Sequence, residues 1–129
     1  EFLIHKGRNI GWVGELDTEK SLKTIAQTLN KELKTECKVL DFGKDNIKTV
    51  AVCSGGGGYG GFYEALEKKV DLYITGDAVE VYYNAKDAGL NILFAGHHAS
   101  ETVGLEALSK VVEEKFSVEC VFLDLPTGL

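Results

Sequence analysis

Leu90-Asn91-Ile92-Leu93-Phe94-Ala95-Gly96-His97-His98-Ala99-Ser100-Glu101 runs from an apolar stretch, through a glycine, into a segment where Leu105, Leu108, Val111 and Val112 recur at helical spacing. The apolar stretch reads as a buried strand and the polar residues as a strand-to-helix turn. His97 and Glu101 stand four apart, so a turn curling into the helix aims both side chains at one spot, as in the HxxxE pairs that bind metals. That spot is a candidate divalent metal site. Simpler roles compete: a hydrogen-bonded histidine at a strand end, and a glutamate favoured by the positive end of the helix dipole.

Working outward, the other strands follow the same logic. Thr49-Val50-Ala51-Val52-Cys53 is a near-continuous apolar run of the kind that parallel strands covered on both faces show. It empties into Ser54-Gly55-Gly56-Gly57-Gly58-Tyr59-Gly60-Gly61 and then a helix from about 62 to 69. Strand 71–75, a Gly76-Asp77 turn and a helix closed by Gly89 come next. Upstream, Ile10, Trp12 and Val13 suggest a strand with turns at Gly7 and Gly14, and Asp17 or Thr18 is placed to cap a helix over 21–33. That helix carries Leu22, Ile25, Ala26, Leu29 and Leu33 on one face, and Cys37 to Leu40 forms a short strand after it. Residues 42–46 make a turn, and a final strand is expected from Val118 to Leu123, ended by Asp124-Leu125-Pro126. Alternating strands and helices predict an α/β fold with a mostly parallel sheet, helices on both faces, and one domain over residues 1–129.

Composition narrows the function classes. With 14 basic and 20 acidic residues the net charge is −6, and no basic cluster offers itself to a phosphate backbone, so a nucleic-acid partner is not expected. No apolar run is long enough to span a bilayer and no signal-like segment opens the chain, so no membrane partner is expected either. Cys37, Cys53 and Cys120 sit singly in apolar runs, which suits buried free thiols in a reducing compartment and a cytoplasmic location. The sequence has no methionine, not even at position 1, which suggests a processed product or part of a longer molecule.

Ligands of open parallel sheets gather beyond the carboxyl ends of the strands. The glycine loop, Asp77, the His97-to-Glu101 turn and Asp124 all fall there. A catalytic-type site needs about three protein ligands, and only Asp77, Asp124 or His98 could add to the pair from this chain. Asp77 reads first as a helix cap, because Asp77-Ala78-Val79-Glu80 has the wording of a capping box. Asp124 reads as a turn former, and His98 as pointing away from its neighbour. Gly55-x-Gly57-x-x-Gly60 matches a dinucleotide fingerprint, with Asp77 about 20 residues on. A glycine loop allowing close backbone approach is ranked ahead of it, and the lysine of a phosphate loop is absent.

Several of these segments together resemble a known family. Thr75-Gly76-Asp77, Ala88-Gly89-Leu90-Asn91, Ala95 to Glu101, Gly104 and Phe122-Leu123-Asp124-Leu125-Pro126 are similar to the C-terminal half of the Nif-three-like proteins. These are also called GTP cyclohydrolase 1 type 2 homologues or dinuclear metal-centre hexameric proteins. Gly11-Trp12-Val13-Gly14-Glu15-Leu16, Ser21-Leu22 and Val50 to Gly56 resemble their central region. The resemblance implies half of a two-part α/β fold, with two divalent ions (zinc, manganese or iron) in a cleft between the parts. It implies metal ligation by His97 and Glu101, the remaining ligands coming from an N-terminal half outside this chain. It further implies a metal-dependent hydrolase of a small-molecule substrate in a homohexamer, or else a non-catalytic metal-binding or regulatory oligomer. The chain departs from the pattern where many members carry a histidine soon after Thr-Gly-Asp, since Val79-Glu80-Val81-Tyr82-Tyr83 stands there.

Overall fold

Burial on both faces of the short central strands decides the architecture. In the computed structural model, which describes residues 1–125, strand β5 (Leu72–Thr75) and strand β6 (Asn91–Phe94) lie parallel to each other and to β4 (Asn46–Cys53). Successive side chains on such strands face opposite sides. Tyr73, Ile92 and Phe94 therefore pack on one face with Ala51 and Cys53, whereas Leu72 and Leu93 pack on the other with Ile47. Helices α2 (Gly58–Glu67) and α3 (Tyr82–Ala88) close the first face through Phe62, Ala65 and Ala85. Helix α1 (Leu22–Leu33) closes the second through Leu22 and Ala26. Burying a side chain such as Phe62 contributes roughly 1.5–3 kcal/mol.

Three further strands complete the six-stranded sheet, in the order β1-β2-β4-β5-β6-β3. Strands β1 (Phe2–His5) and β2 (Arg8–Ser21) form a hairpin, and β2 also runs antiparallel to β4. Strand β3 (Lys38–Leu40) lies antiparallel on β6. The fold is α/β, as expected, but parallel pairing is confined to β4, β5 and β6, so the expectation of a mostly parallel sheet is corrected to a mixed one. The hairpin turn explains one antiparallel pair: Lys6 and Gly7 both take positive φ, 49° and 75°, the backbone of a tight two-residue hairpin.

Other boundaries shift as well. Strand β2 continues through Gly14, Asp17 and Thr18 because β4 pairs with it from Trp12 to Ser21 across an irregularity between Glu15 and Lys20. The expected turn at Gly14 and cap at Asp17 or Thr18 thus lie inside a strand, and Ser21 caps α1, its hydroxyl accepting the Thr24 N–H at 3.1 Å. Helix α4 (His97–Phe116) forms as the periodicity predicts, yet none of its 20 residues is buried. The strand expected over 118–123 is absent: residues 117–125 form no regular element, and no sheet edge among the described residues pairs with them. Pro126 lies outside the described residues. No described helix is long and apolar enough to cross a membrane.

The glycine run has a packing cause. Tyr73 is fully buried and its hydroxyl has no hydrogen-bond partner among the described residues; burial pushes its pKa up to about 12. A Cβ at Gly57 or Gly61, one turn apart at the start of α2, would collide with that hydroxyl. Only glycines let this helix sit so close to the ring.

Candidate metal centre

The carboxyl ends of β4, β5 and β6 open on one edge of the sheet, and each leads into a glycine turn. Backbone bonds tie the three turns together: Gly76 and Asp77 N–H groups donate to the Gly55 carbonyl at 2.9 and 3.0 Å, and Gly96 N–H donates to the Gly76 carbonyl at 3.0 Å. This layering delivers Asp77, from the second turn, beside His97, from the third.

His97 stands between two carboxylates. Its Nδ1 lies 2.9 Å from both Asp77 oxygens, and because a carboxylate only accepts, Nδ1 carries the proton. Its Nε2 lies 3.4 Å from Glu101 Oε1, one helical turn along α4. All three side chains are about half exposed. The Asp77 hydrogen bond raises the His97 pKa above its ordinary value, slight burial opposes this, and the charges of Asp77 and Glu101 add to it. Gly55 closes the site from the side. Its φ of +61° suits glycine, and a Cβ there would strike Glu101 Oε1 and come within 3.1 Å of His97 Nε2.

The arrangement brings His97 and Glu101 together as their spacing predicts. It corrects the capping role given to Asp77: α3 begins five residues later, with Val81 at its N-cap position, and the Asp77 carboxylate is engaged by His97. Glu80 does not complete a capping box there. The capping wording hid Asp77's pairing; its place after β5, at the same edge, was the signal that could have found it. His98 turns away from His97, as expected, and donates from Nε2 to Asp124 at 2.8 Å, so Asp124 ties the segment after α4 to that helix's first turn. Cys53 is buried beside the site; burial and the charge of Glu101 raise its pKa, which keeps the thiol protonated. Cys37, Cys53 and Cys120 are all free thiols, Cys120 only partly buried.

Asp77, His97 and Glu101 form a row rather than a cage, and no group of three or more His, Cys, Asp or Glu among the described residues is arranged to hold a metal ion. Two donors, His97 Nε2 and Glu101 Oε1, face a common point. Their chemistry fits a divalent cation: an imidazole whose other nitrogen is bonded to a carboxylate presents its free lone pair in a fixed direction. A shallow hollow of about 250 Å³ lies on the Asp77 side of His97, lined by Thr35, Lys38, Gly76, Asp77 and His97 among others, and Glu101 does not line it.

Comparisons with known proteins identify the family and the fold. The profile of the Duf34/NIF3 (NGG1p interacting factor 3) family matches residues 2–127. A GTP cyclohydrolase 1 type 2 homolog of Pyrococcus horikoshii is 45% identical over 127 residues, covering 97% of this chain and 50% of the relative. The structure of protein ybgI, of unknown function, superposes with a TM-score of 0.83 at 31% identity, over 92% of this chain and 48% of its own. A Bacillus cereus protein related to NIF3 does so with a TM-score of 0.68 at 30% identity, over 91% and 34%. The chain spans about half the length of the curated relatives it matches. From the three-turn edge, the matched profile and these relatives together, the chain belongs to the Duf34/NIF3 family.

Proposed function

We propose that this chain supplies one side of a dinuclear metal centre in a metal-dependent hydrolase of the GTP cyclohydrolase 1 type 2 homologue kind, acting on a small molecule. The observation that carries the reading is the convergence of His97 Nε2 and Glu101 Oε1, 3.4 Å apart, with Asp77 holding the opposite ring nitrogen. His97 and Glu101 would hold the ions, which are zinc, manganese or iron. Such ions, when bound, would lower the pKa of a water and stabilise charge on an attacked carbon or phosphorus. Asp77 keeps the His97 ring in the tautomer that leaves Nε2 free, and the Gly55 backbone keeps the donor pair against one wall. Further ligands come from the part of the full-length protein that corresponds to the rest of its relatives.

Helix α4 supports a packing partner for this surface. Glu101, Leu105, Leu108 and Val112 share one face at helical spacing, and Leu105 and Leu108 are 58% and 56% exposed. An apolar stripe leading away from the donor pair suits a homo-oligomer, a hexamer in this reading, located in the cytoplasm. The same stripe favours a second reading, a metal-holding regulatory oligomer without turnover.

Metal content separates the outcomes. Full-length protein with manganese or zinc should lose bound metal on His97→Ala and on Glu101→Ala; unchanged content in both removes the site. Turnover of GTP or another nucleotide, abolished by the same substitutions, supports the hydrolase, and metal binding without turnover supports the regulatory reading.

A further inference from the structure

Among the described residues, Ser100 is the side chain that bonds both the glycine loop and the turn bearing His97. Its hydroxyl accepts the Gly55 N–H at 2.9 Å and donates to the His97 carbonyl at 2.9 Å. The Gly55 carbonyl is held from the other side by Gly76 and Asp77 N–H groups and by the Thr75 hydroxyl, which also accepts the Gly57 N–H at 3.1 Å. Gly55 is therefore fixed at both its polar groups, and its Cα faces Glu101 Oε1 and His97 Nε2 with no room for a methyl. Three of the four attachments at Gly55 come from β5 and the turn after it. Only the Ser100 bond comes from α4, the element that carries the donors.

We infer that Ser100 is a positioning residue that makes the loop from Ser54 to Gly61 respond to occupancy of the His97 and Glu101 pair, a role that rests on the metal reading above. A cation drawing Nε2 and Oε1 to one point fixes the first turn of α4. That turn holds the Ser100 hydroxyl in place, and the hydroxyl holds Gly55 N–H. Without the hydroxyl, Gly55 keeps its attachments to β5 and the turn after it but loses its direct bond to α4; only the longer route through Asp77 still links it to His97, so the loop's response to the ion falls. Gly55 and Gly56 are the part of the loop that lies against Glu101, His97 and Asp77.

The test is hydrogen exchange on full-length protein with and without cobalt(II), read in peptides covering residues 54–61, with the visible cobalt spectrum recorded in parallel. In the native sequence cobalt should slow exchange of the loop by roughly fivefold, the scale of one ordinary hydrogen bond. Ser100→Ala should keep a cobalt spectrum yet lose most of the cobalt-dependent slowing, and Ser100→Thr, which keeps the hydroxyl, should restore it. Ser100→Cys replaces alanine should that variant not fold, and should show the response weakened. Equal slowing in Ser100→Ala, or its loss in Ser100→Thr, overturns the role of the hydroxyl while leaving the metal reading intact. A cobalt spectrum unchanged by His97→Ala overturns the metal reading itself, and the coupling with it.

Discussion

Helices α2 and α4 start alike and end differently. Each follows a parallel strand, begins at a glycine, and has no side chain capping its first turn. The ten residues of α2 bury Gly61, Phe62 and Ala65 against the sheet, whereas the 20 residues of α4 bury none. The side-chain bonds that join α4 to the sheet edge lie at its first turn, where Asp77 and Gly55 meet it; α1 lies alongside, and near the last turn Glu113 accepts the Cys120 N–H at 3.0 Å from the segment that follows. The difference teaches that helical spacing of apolar residues reports a face that wants cover, not one that has it. In α2 the sheet supplies the cover; in α4 the donor pair sits at one end of a face still open.

Substitutions can break that contrast. Phe62→Ala should cost the most, about 3–5 kcal/mol in urea unfolding, since it empties a fully buried ring site. Leu108→Ala in the same chain should change stability by less than about 0.5 kcal/mol, and a loss near that of Phe62 would mean α4 is covered after all. Gly57→Ala should cost about 1–3 kcal/mol by overpacking against Tyr73, and adding Tyr73→Phe should recover part of it, because the collision is with the hydroxyl. Tyr73→Phe alone should be neutral or stabilising by about 1 kcal/mol, as it removes a buried donor without a partner.

The smallest effect is a pH dependence at the attached end of α4. His97 has a folded pKa raised above its ordinary 6.5, first of all by its bond to Asp77. The stability this pair contributes in metal-free protein is therefore fully present below about pH 6.5 and fades as pH rises through the folded value. Proton NMR titration of the ring should show the raised pKa, and Asp77→Asn should bring it down. Both groups are near half exposed, so solvent screening keeps the contribution small.

Much of the centre was legible in the sequence. The runs Thr49 to Cys53 and Leu90 to Phe94 are apolar on both faces, which only strands covered on two sides can use, and they became β4 and β6. Strand β2 was not legible over its length, because of its 14 residues only Gly11 is buried, so ladder pairing rather than a hydrophobic pattern sustains it. The segment Val118 to Leu123 shows the converse: it has strand-forming residues but no ladder, and Val121 and Leu123 stay exposed. At the site, His97 and Glu101 were readable because one helical turn fixes their distance. Asp77 was obscured by a plausible local role, and Ser100 gave no signal at all, since nothing in a lone serine reveals that a loop 45 residues away donates to it.

The sheet also governs what oxidation can do to this molecule. Cys53 belongs to the packed layer beneath α2, and Cys37 to the one beneath α1, so the strands separate these two sulfurs and no cross-link between them can form while the fold persists. Burial raises the pKa of both, which leaves little thiolate for an alkylating or oxidising reagent. Damage on storage in air should start at the more accessible Cys120 and appear first as covalent dimers, with the interior sulfurs labelled only once the chain has opened.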